Sequence, residues 1–230
     1  MTRSELLQRL ETLAEPQYRE FSSKLLPGSE KMLGVRMPLL HKIAKEIARG
    51  DIEAFLREPC GEIFEERMVR GLVIAHGEMS LEQKLKTVQD FLPLIQSWSV
   101  CDGFCAALKD AAKEQVAFYE LLRPCLCSAE CYEQRFGLVM LTDWYLNDEY
   151  IDRTLEHFFS FDHPDYYARM AAAWGISIAF VKYPEKTLEF LKASRLDPFT
   201  HNTAIRKIRE SRRPTAEQKA FVLKLKKVIS

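Results

Sequence analysis

Glycine is scarce in this chain, with nine residues among 230, about half of the roughly 7% that soluble proteins contain. No stretch shows the sustained alternation of apolar and polar residues, bounded by hairpin dipeptides, that marks antiparallel strands. Both absences favour an all-helical chain. The composition, 47% hydrophobic and 29% charged, excludes fibrous and intrinsically disordered proteins.

Net charge is also absent, because 33 Lys and Arg residues balance 33 Asp and Glu residues. A strongly basic protein attracts nucleic acids or anionic membranes through its overall field, and this chain as a whole has no such field. Any preference for polyanions must therefore come from a local cluster of basic residues.

Long apolar runs are missing too. The longest uncharged stretches, such as Met170 to Val181, fall well short of the roughly 20 residues that a membrane-spanning helix needs. The first eleven residues form an amphipathic pattern that contains acidic residues, which is typical of neither a secretory signal nor a transit peptide. We therefore expect a cytoplasmic protein without a membrane span.

Motifs for metals and nucleotides are lacking. The five histidines are scattered, and no two of them have the four-residue spacing that places both imidazoles on one helix face; we expect structural or surface roles for them. Gly-rich phosphate loops are absent, so neither a metal nor an organic cofactor is expected. No Cys-x-x-Cys pair occurs among the six cysteines, which we expect to be reduced and mostly in the core: Cys60, Cys101, Cys105, Cys125, Cys127 and Cys131.

Apolar residues recur at intervals of three and four almost everywhere, which predicts thirteen helices. Ser80 with Gln83 and Thr215 after Pro214 are helix start signals. The predicted helices are 3–14, 15–24, 36–49, 62–76, 80–95, 98–112, 115–125, 129–146, 149–160, 165–181, 184–195, 200–211 and 214–228.

A repeat of 34 residues underlies these helices. Arg67, Arg135 and Arg169 each lie on an apolar helix at separations of twice 34 and once 34, and the other registers fall at Cys101 and Thr203. A period in the thirties with two helices per unit is typical of an α-solenoid with a long concave surface. The alternative is that the spacings are accidental. We expect residues 1–230 to form a single domain of this kind.

Basic residues are concentrated at the carboxyl end, where nine of them face two acidic residues within the last 30 positions. Such segregation is expected for contacts with a phosphate backbone; the alternative is a solvated terminal capping helix. The predicted backbone contacts here are Arg206, Lys207, Arg209, Arg212 and Arg213. A second basic cluster on the predicted helix 36–49 contains Arg36, His41, Lys42, Lys45 and Arg49, of which Arg36, Lys42 and Lys45 complete the predicted contacts.

Trp98 and Asp102 stand one helical turn apart and share a face. An indole and a carboxylate on one face suit a cationic ligand, since the ring attracts it through its quadrupole and the acid attracts it by charge. Trp174 follows about two repeats later, with Arg135 between the two tryptophans. The alternative is a core tryptophan beside a solvated aspartate.

Four segments resemble the AlkD-type DNA alkylation repair family, namely Gly34 to Lys45, Trp98 to Asp102, Arg135 to Leu141, and Ala173-Trp174 followed by Phe180 to Glu185. The resemblance covers nearly the whole chain. It implies a right-handed solenoid of HEAT-like repeats and a glycosylase that excises positively charged purines such as 3-methyladenine and 7-methylguanine.

The resemblance also implies roles for single residues. Asp102 matches the catalytic aspartate, Trp98 and Trp174 match tryptophans that flank the lesion, and Arg135 matches an arginine on the DNA backbone. Two features depart from the active enzymes. Ser177 stands where they carry arginine one turn beyond the second tryptophan, and the segment Phe21 to Pro27 offers no counterpart of their tyrosine.

Three functions therefore stay open. The first is a monomeric glycosylase acting on alkylated double-stranded DNA, and the second is a solenoid that binds DNA with weak or no turnover. The third is a protein-binding scaffold, which would have no salt-dependent affinity for DNA.

Overall fold

The computed structural model describes residues 1–26 and 31–228, and over these residues the chain is helical without any strand. An isolated bridge joins Lys31 to Ile63. Two 3₁₀ helices, Leu92–Leu94 and Lys109–Ala112, accompany fourteen α-helices in the described part: α1 Arg3–Thr12, α2 Pro16–Ser23, α3 Met37–Ala48, α4 Ile52–Arg57, α5 Phe64–His76, α6 Leu81–Phe91, α7 Trp98–Ala107, α8 Gln115–Leu126, α9 Cys131–Trp144, α10 Ile151–Phe159, α11 Tyr166–Lys182, α12 Pro184–Lys192, α13 Pro198–Glu210 and α14 Ala216–Leu223.

The helices form two compact units, Met1–Glu114 and Gln115–Ser230. In the first unit, α3, α5 and α7 pack side by side in succession, with α4 against α3 and α6 against α5. In the second unit, α9, α11 and α13 form the same kind of row, and the other helices pack against it. The prediction of an all-α protein built from helical repeats is confirmed.

The 34-residue register falls on equivalent positions of these rows. Arg67, Cys101, Arg135, Arg169 and Thr203 lie within the first six residues of α5, α7, α9, α11 and α13. The odd-numbered helices from α5 to α13 are therefore equivalent helices of successive repeats. This is the arrangement in which a helix pair buries its apolar face against its neighbours.

Each repeat arginine reaches forward to the start of the next helix in its row. The Nη1 atom of Arg67 donates to Gln96, just before α7, at 2.7 Å. The side chain of Arg169 pairs with Asp197, the residue that caps the amino end of α13. These contacts fix one repeat against the next.

The start signals at Ser80 and Thr215 mark the beginnings of α6 and α14, whereas one helix, α4, is not predicted from the sequence. Ser80 with Gln83 and Thr215 with Gln218 each form a capping box. Helix α4, which Asp51 caps through the backbone of Ala54, was not among the thirteen predicted helices. Its six residues are too short to display the 3.6-residue periodicity on which the prediction depends.

Three of the six cysteines, Cys101, Cys105 and Cys125, are buried. Cys127 is exposed, and the remaining two are intermediate. Within the described ranges, no helix combines the length and the hydropathy that a membrane span requires.

In the second unit, α11 approaches its neighbours closely at Gly175. A Cβ atom there would lie 2.7 Å from Thr142 Oγ1 on α9 and 2.5 Å from the Phe158 ring on α10. Gly175 thus allows α11 to sit tightly against both neighbours, which a larger residue would prevent.

We expect Gly175→Ala to lower the free energy of unfolding by about 1–3 kcal/mol, because overpacking a dense core forces the backbone and side chains apart. The measurement is chemical denaturation followed by circular dichroism. Gly50→Ala is the matched control, since its Cβ would meet nothing closer than Ile47 O at 3.5 Å. Equal stabilities of the two variants would contradict the tight packing.

Candidate functional site

Helix α7 begins at Trp98 and presents two faces. Val100, Cys101 and Phe104 are buried, whereas Trp98 and Asp102 are partly exposed one turn apart. The shared face predicted for these two residues is therefore accessible to a ligand.

The indole of Trp98 is held in place by the segment that follows α2. Its Nε1 atom donates to the carbonyl oxygen of Leu25 at 3.2 Å. Beside the ring lies a pocket of about 200 Å³, lined among others by Tyr18, Phe21 and Met37. Phe21 and Leu25 are 60% and 52% exposed, so the rim of this pocket is apolar and open to solvent.

The loop before α3 is ordered by a buried carboxylate. Glu65 of α5 is 1% exposed and accepts hydrogen bonds from the backbone N–H groups of Leu33, Gly34 and Val35 at 3.0, 2.6 and 3.2 Å. Gly34 has φ of +93°, which favours glycine because it has no Cβ. Glu65 also lines the Trp98 pocket, so the same residue shapes the loop and the site.

Sequence reasoning missed Tyr18, Phe21 and Glu65 as neighbours of Trp98. The sequence of the segment Phe21 to Pro27 shows only that it lacks the tyrosine that the resemblance implies, and Pro27 lies outside the described residues. The structure brings the aromatic residues of α2 to the amino end of α7, more than 70 positions along the chain. No short motif signals such a contact.

In the second unit, Trp174 lies on the solvent-facing stripe of α11. Tyr167, Met170 and Ile178, at helical spacing from it, are likewise only partly buried. Gly175, the next residue, faces α9 and α10. The packing of Gly175 thus turns Trp174 outward.

Ser177 is 5% exposed, and its hydroxyl donates to the carbonyl oxygen of Trp174 at 2.7 Å. The resemblance implies an arginine at this position in the active glycosylases. This chain instead has a small neutral side chain that bonds within its own helix.

Arg135 is 6% exposed, and its Nη1 atom donates to the carbonyl oxygen of Tyr167 at the start of α11, at 2.7 Å. It thus takes part in the same repeat-to-repeat contacts as Arg67 and Arg169. Its contact with the DNA backbone stays a prediction.

Lys207 on α13 lies near enough to Arg135 for the two positive charges to interact. Burial lowers the pKa of Lys207; Glu210 opposes this effect, whereas the charges of Arg206 and Arg135 lower the pKa further. Helix α11 packs between α9 and α13, so two cations flank the helix that carries Trp174.

The basic cluster of α3 is only partly available to a ligand. Arg36 forms two hydrogen bonds of 2.8 Å with Glu15 and lies over the Tyr18 ring. Lys42 and Lys45 are exposed, and within residues 1–26 and 31–228 they form no salt bridge. The cluster thus contributes two lysines that are free to meet a phosphate.

At the carboxyl end, Arg206, Arg209, Arg212 and Arg213 are exposed. Only Arg206 has an acidic neighbour, Glu210, at 3.9 Å; the other three make no salt bridge with any described residue. The last residues of the described chain are tied down, because Asn202 exchanges two hydrogen bonds of 2.9 Å with the backbone of Lys227. The carboxyl-terminal residues thus pack against α13, and the arginines between positions 206 and 213 face solvent.

No group of three or more His, Cys, Asp or Glu residues in the described ranges could hold a metal ion. The histidines are not all scattered in space, however. His41 and His76 meet across α3 and α5, with His41 Nδ1 3.4 Å from His76 Nε2. Their spacing of 35 residues places them one repeat apart.

A family model described as a DNA alkylation repair enzyme matches residues 6–208. The chain belongs to this family. Comparison with curated proteins and with solved structures found no significant match. The matched range contains Trp98, Asp102, Arg135 and Trp174, whereas Arg209, Arg212 and Arg213 follow it.

Family membership supports an enzyme of DNA repair that acts on DNA. The resemblance identified from the four sequence segments is confirmed at this level. The roles of individual site residues stay predictions.

Because Arg135 is buried and hydrogen-bonded, we expect Arg135→Gln to lower the free energy of unfolding by about 1.5–3 kcal/mol. Arg209→Gln, an exposed arginine of the same unit, should change it by less than about 0.5 kcal/mol. Urea denaturation of both variants measures the difference. If Arg135→Gln were as stable as its control, the guanidinium would not hold the repeats together.

Proposed function

We propose that this chain is a DNA glycosylase that removes positively charged N-alkylpurines, such as 3-methyladenine and 7-methylguanine, by hydrolysing the N-glycosidic bond. The observation that carries the proposal is the partly exposed face of α7, where Trp98, which lines an aromatic pocket, stands one turn from Asp102. Family membership supports the repair role.

The chemistry suits these residue types. An alkylated purine that carries a positive charge is already a good leaving group, so the enzyme has to stabilise the developing oxocarbenium sugar and position a water molecule. Water adds to C1′ while the bond from C1′ to the purine nitrogen breaks. The electron pair of the broken bond stays with the purine and neutralises its positive charge. The carboxylate of Asp102 would stabilise the sugar by charge and orient the water, whose proton then leaves to solvent.

Selectivity follows from the aromatic rings. A cation over the face of an indole is favoured by about 0.5–2 kcal/mol, and a neutral base gains no such term. Trp98 would thus favour the alkylated base over ordinary purines without reading base edges, and the resemblance implies the same kind of role for Trp174. Tyr18 and Phe21, which line the pocket beside Trp98, would add to the aromatic surface in the first unit.

Double-stranded DNA would be held by the exposed basic residues. Each phosphate neutralised by Lys or Arg releases counterions, so binding should weaken steeply with salt. We infer that the main contacts come from the exposed cations without acidic partners, namely Lys42, Lys45, Arg209, Arg212 and Arg213. Arg36, Arg206 and Lys207 would add to them, and Arg36 would first have to leave Glu15.

A second candidate is a DNA-binding protein with weak or no turnover. It is favoured by Ser177, because a buried hydroxyl bonded to its own helix supplies none of the charge that an arginine would bring to a phosphate. Salt-dependent duplex binding without base release would support this candidate.

Release of 7-methylguanine and 3-methyladenine from methylated duplex DNA under single-turnover conditions tests the glycosylase directly. We expect Asp102→Asn to lower the rate by about 100-fold or more, because it removes the charge that stabilises the sugar cation. Asp90→Asn is the matched control, since Asp90 is an exposed aspartate of the same unit that pairs with Lys86. Equal rates for wild type and Asp102→Asn would falsify the assigned mechanism.

We expect Arg206→Glu combined with Arg209→Glu to weaken duplex binding by about tenfold or more and to flatten its salt dependence. The matched control is Arg123→Glu with Arg153→Glu, which makes the same charge change at exposed positions of α8 and α10. Fluorescence anisotropy at several salt concentrations measures both. Unchanged affinity with an intact helical spectrum would mean that DNA binds on another face.

A further inference from the structure

The two histidines that meet across α3 and α5 form a pair within the first unit. His41 Nδ1 lies 3.4 Å from His76 Nε2, and the ring centroids are 5.7 Å apart at an interplanar angle of 51°. Both side chains are partly exposed. A contact of this kind needs one protonated and one bare nitrogen, so the neutral pair shares a single N–H across the contact.

The charged groups around this pair are mainly cations. Lys45 faces it from α3, Lys84 from α6, and Lys109 from the 3₁₀ helix after α7. Lys84 is occupied, because its ammonium group donates to the carbonyl oxygens of Ile74 and Gly77 at 2.8 and 2.7 Å. Lys45 and Lys109 are exposed and make no salt bridge within the described part of the unit.

The nearby carboxylates are already engaged. Asp110 lies 2.9 Å from the ammonium group of Lys84, and Glu46, on the same helix as His41, pairs with Arg9 of α1 at 2.9 Å. On α5, Glu65 binds backbone N–H groups and Glu66 pairs with Arg3. On α4, Glu53 pairs with Arg57. The charges that shift the pKa of the two histidines are accordingly all cationic.

Burial lowers the pKa of His41, and the charge of Lys45 lowers it further. Burial also lowers the pKa of His76, and the positive charges of His41, Lys45, Lys109 and Lys84 lower it further. Burial and these charges therefore favour the neutral form of the pair. An anion placed among these groups would reverse the effect, because an opposite charge favours the protonated imidazole.

We propose that His41 and His76, together with Lys45 and Lys109, bind a phosphodiester group of the DNA backbone and take up a proton when they do so. Two ammonium groups and the imidazole N–H groups are the donors that a phosphate oxygen accepts. The inference rests on the proposed function only in taking DNA as the ligand, and it requires no base excision.

Proton uptake makes duplex binding depend on pH. Because the bound anion raises the pKa of the pair above its value in the free protein, affinity increases as the pH falls between these two values. Each proton taken up contributes at most about tenfold in affinity per pH unit. Exposed arginines and lysines, which stay charged over this range, contribute no such slope.

The test measures affinity for an unmodified duplex by fluorescence anisotropy between about pH 6 and pH 8 at constant ionic strength. Wild type should bind more tightly as the pH falls. His41→Gln combined with His76→Gln should lose this dependence and bind several-fold more weakly near pH 6. His157→Gln is the control, since that histidine is hydrogen-bonded to Tyr119 in the second unit, and it should keep the wild-type slope.

A double variant with the wild-type slope would overturn the proposal. If the double variant fails to fold, NMR titration of the histidine C–H resonances of wild type decides instead, with the duplex and with inorganic phosphate as separate probes. Duplex should raise the pKa of His41 and His76. Unchanged values, or a response to inorganic phosphate without one to duplex, would overturn the assignment to the DNA backbone. Base release is measured separately, so failure of the glycosylase leaves this test intact.

Discussion

Burial of helix faces between successive repeats is the interaction on which the rest of this chain depends. Its consequences are clearest at α5, where the twelve residues from Phe64 to Ala75 are all buried, charged side chains included. A buried charge is costly unless it is paired. Glu65 therefore binds three backbone N–H groups, Glu66 pairs with Arg3, and Arg70 donates to carbonyl oxygens at the end of α4. The polar groups of α5 thus order the segments around it.

The same burial decides which side chains remain available to a ligand. On α7 the apolar face takes Cys101 and Phe104 inward, so Trp98 and Asp102 are left at the surface. On α11 the close approach at Gly175 turns Trp174 toward solvent. The candidate site residues Trp98, Asp102 and Trp174 are thus positions that the packing of the repeats does not bury. Rigid helices, rather than flexible loops, hold them in place.

Two groups of cations in this chain differ in what they contact. Arg67, Arg135 and Arg169 lie near the start of helices and bond forward to the next repeat. Arg209, Arg212 and Arg213 are exposed, and the exposed lysines of α3 and of the segment after α7 resemble them in having no acidic partner in the described ranges. A neutral chain can therefore present a basic surface, because many of its acidic residues neutralise other cations.

Helix periodicity, capping boxes and the 34-residue spacing determined the all-α repeat fold and the shared face of Trp98 and Asp102, because each depends only on residues close in sequence or at a regular interval. Tertiary structure alone decided that Phe21 and Glu65 line the Trp98 pocket, that His41 meets His76, and that Arg135 is buried. These contacts join helices tens of residues apart. Periodicity shows which face of a helix is buried, whereas the residue it meets depends on how the helices pack.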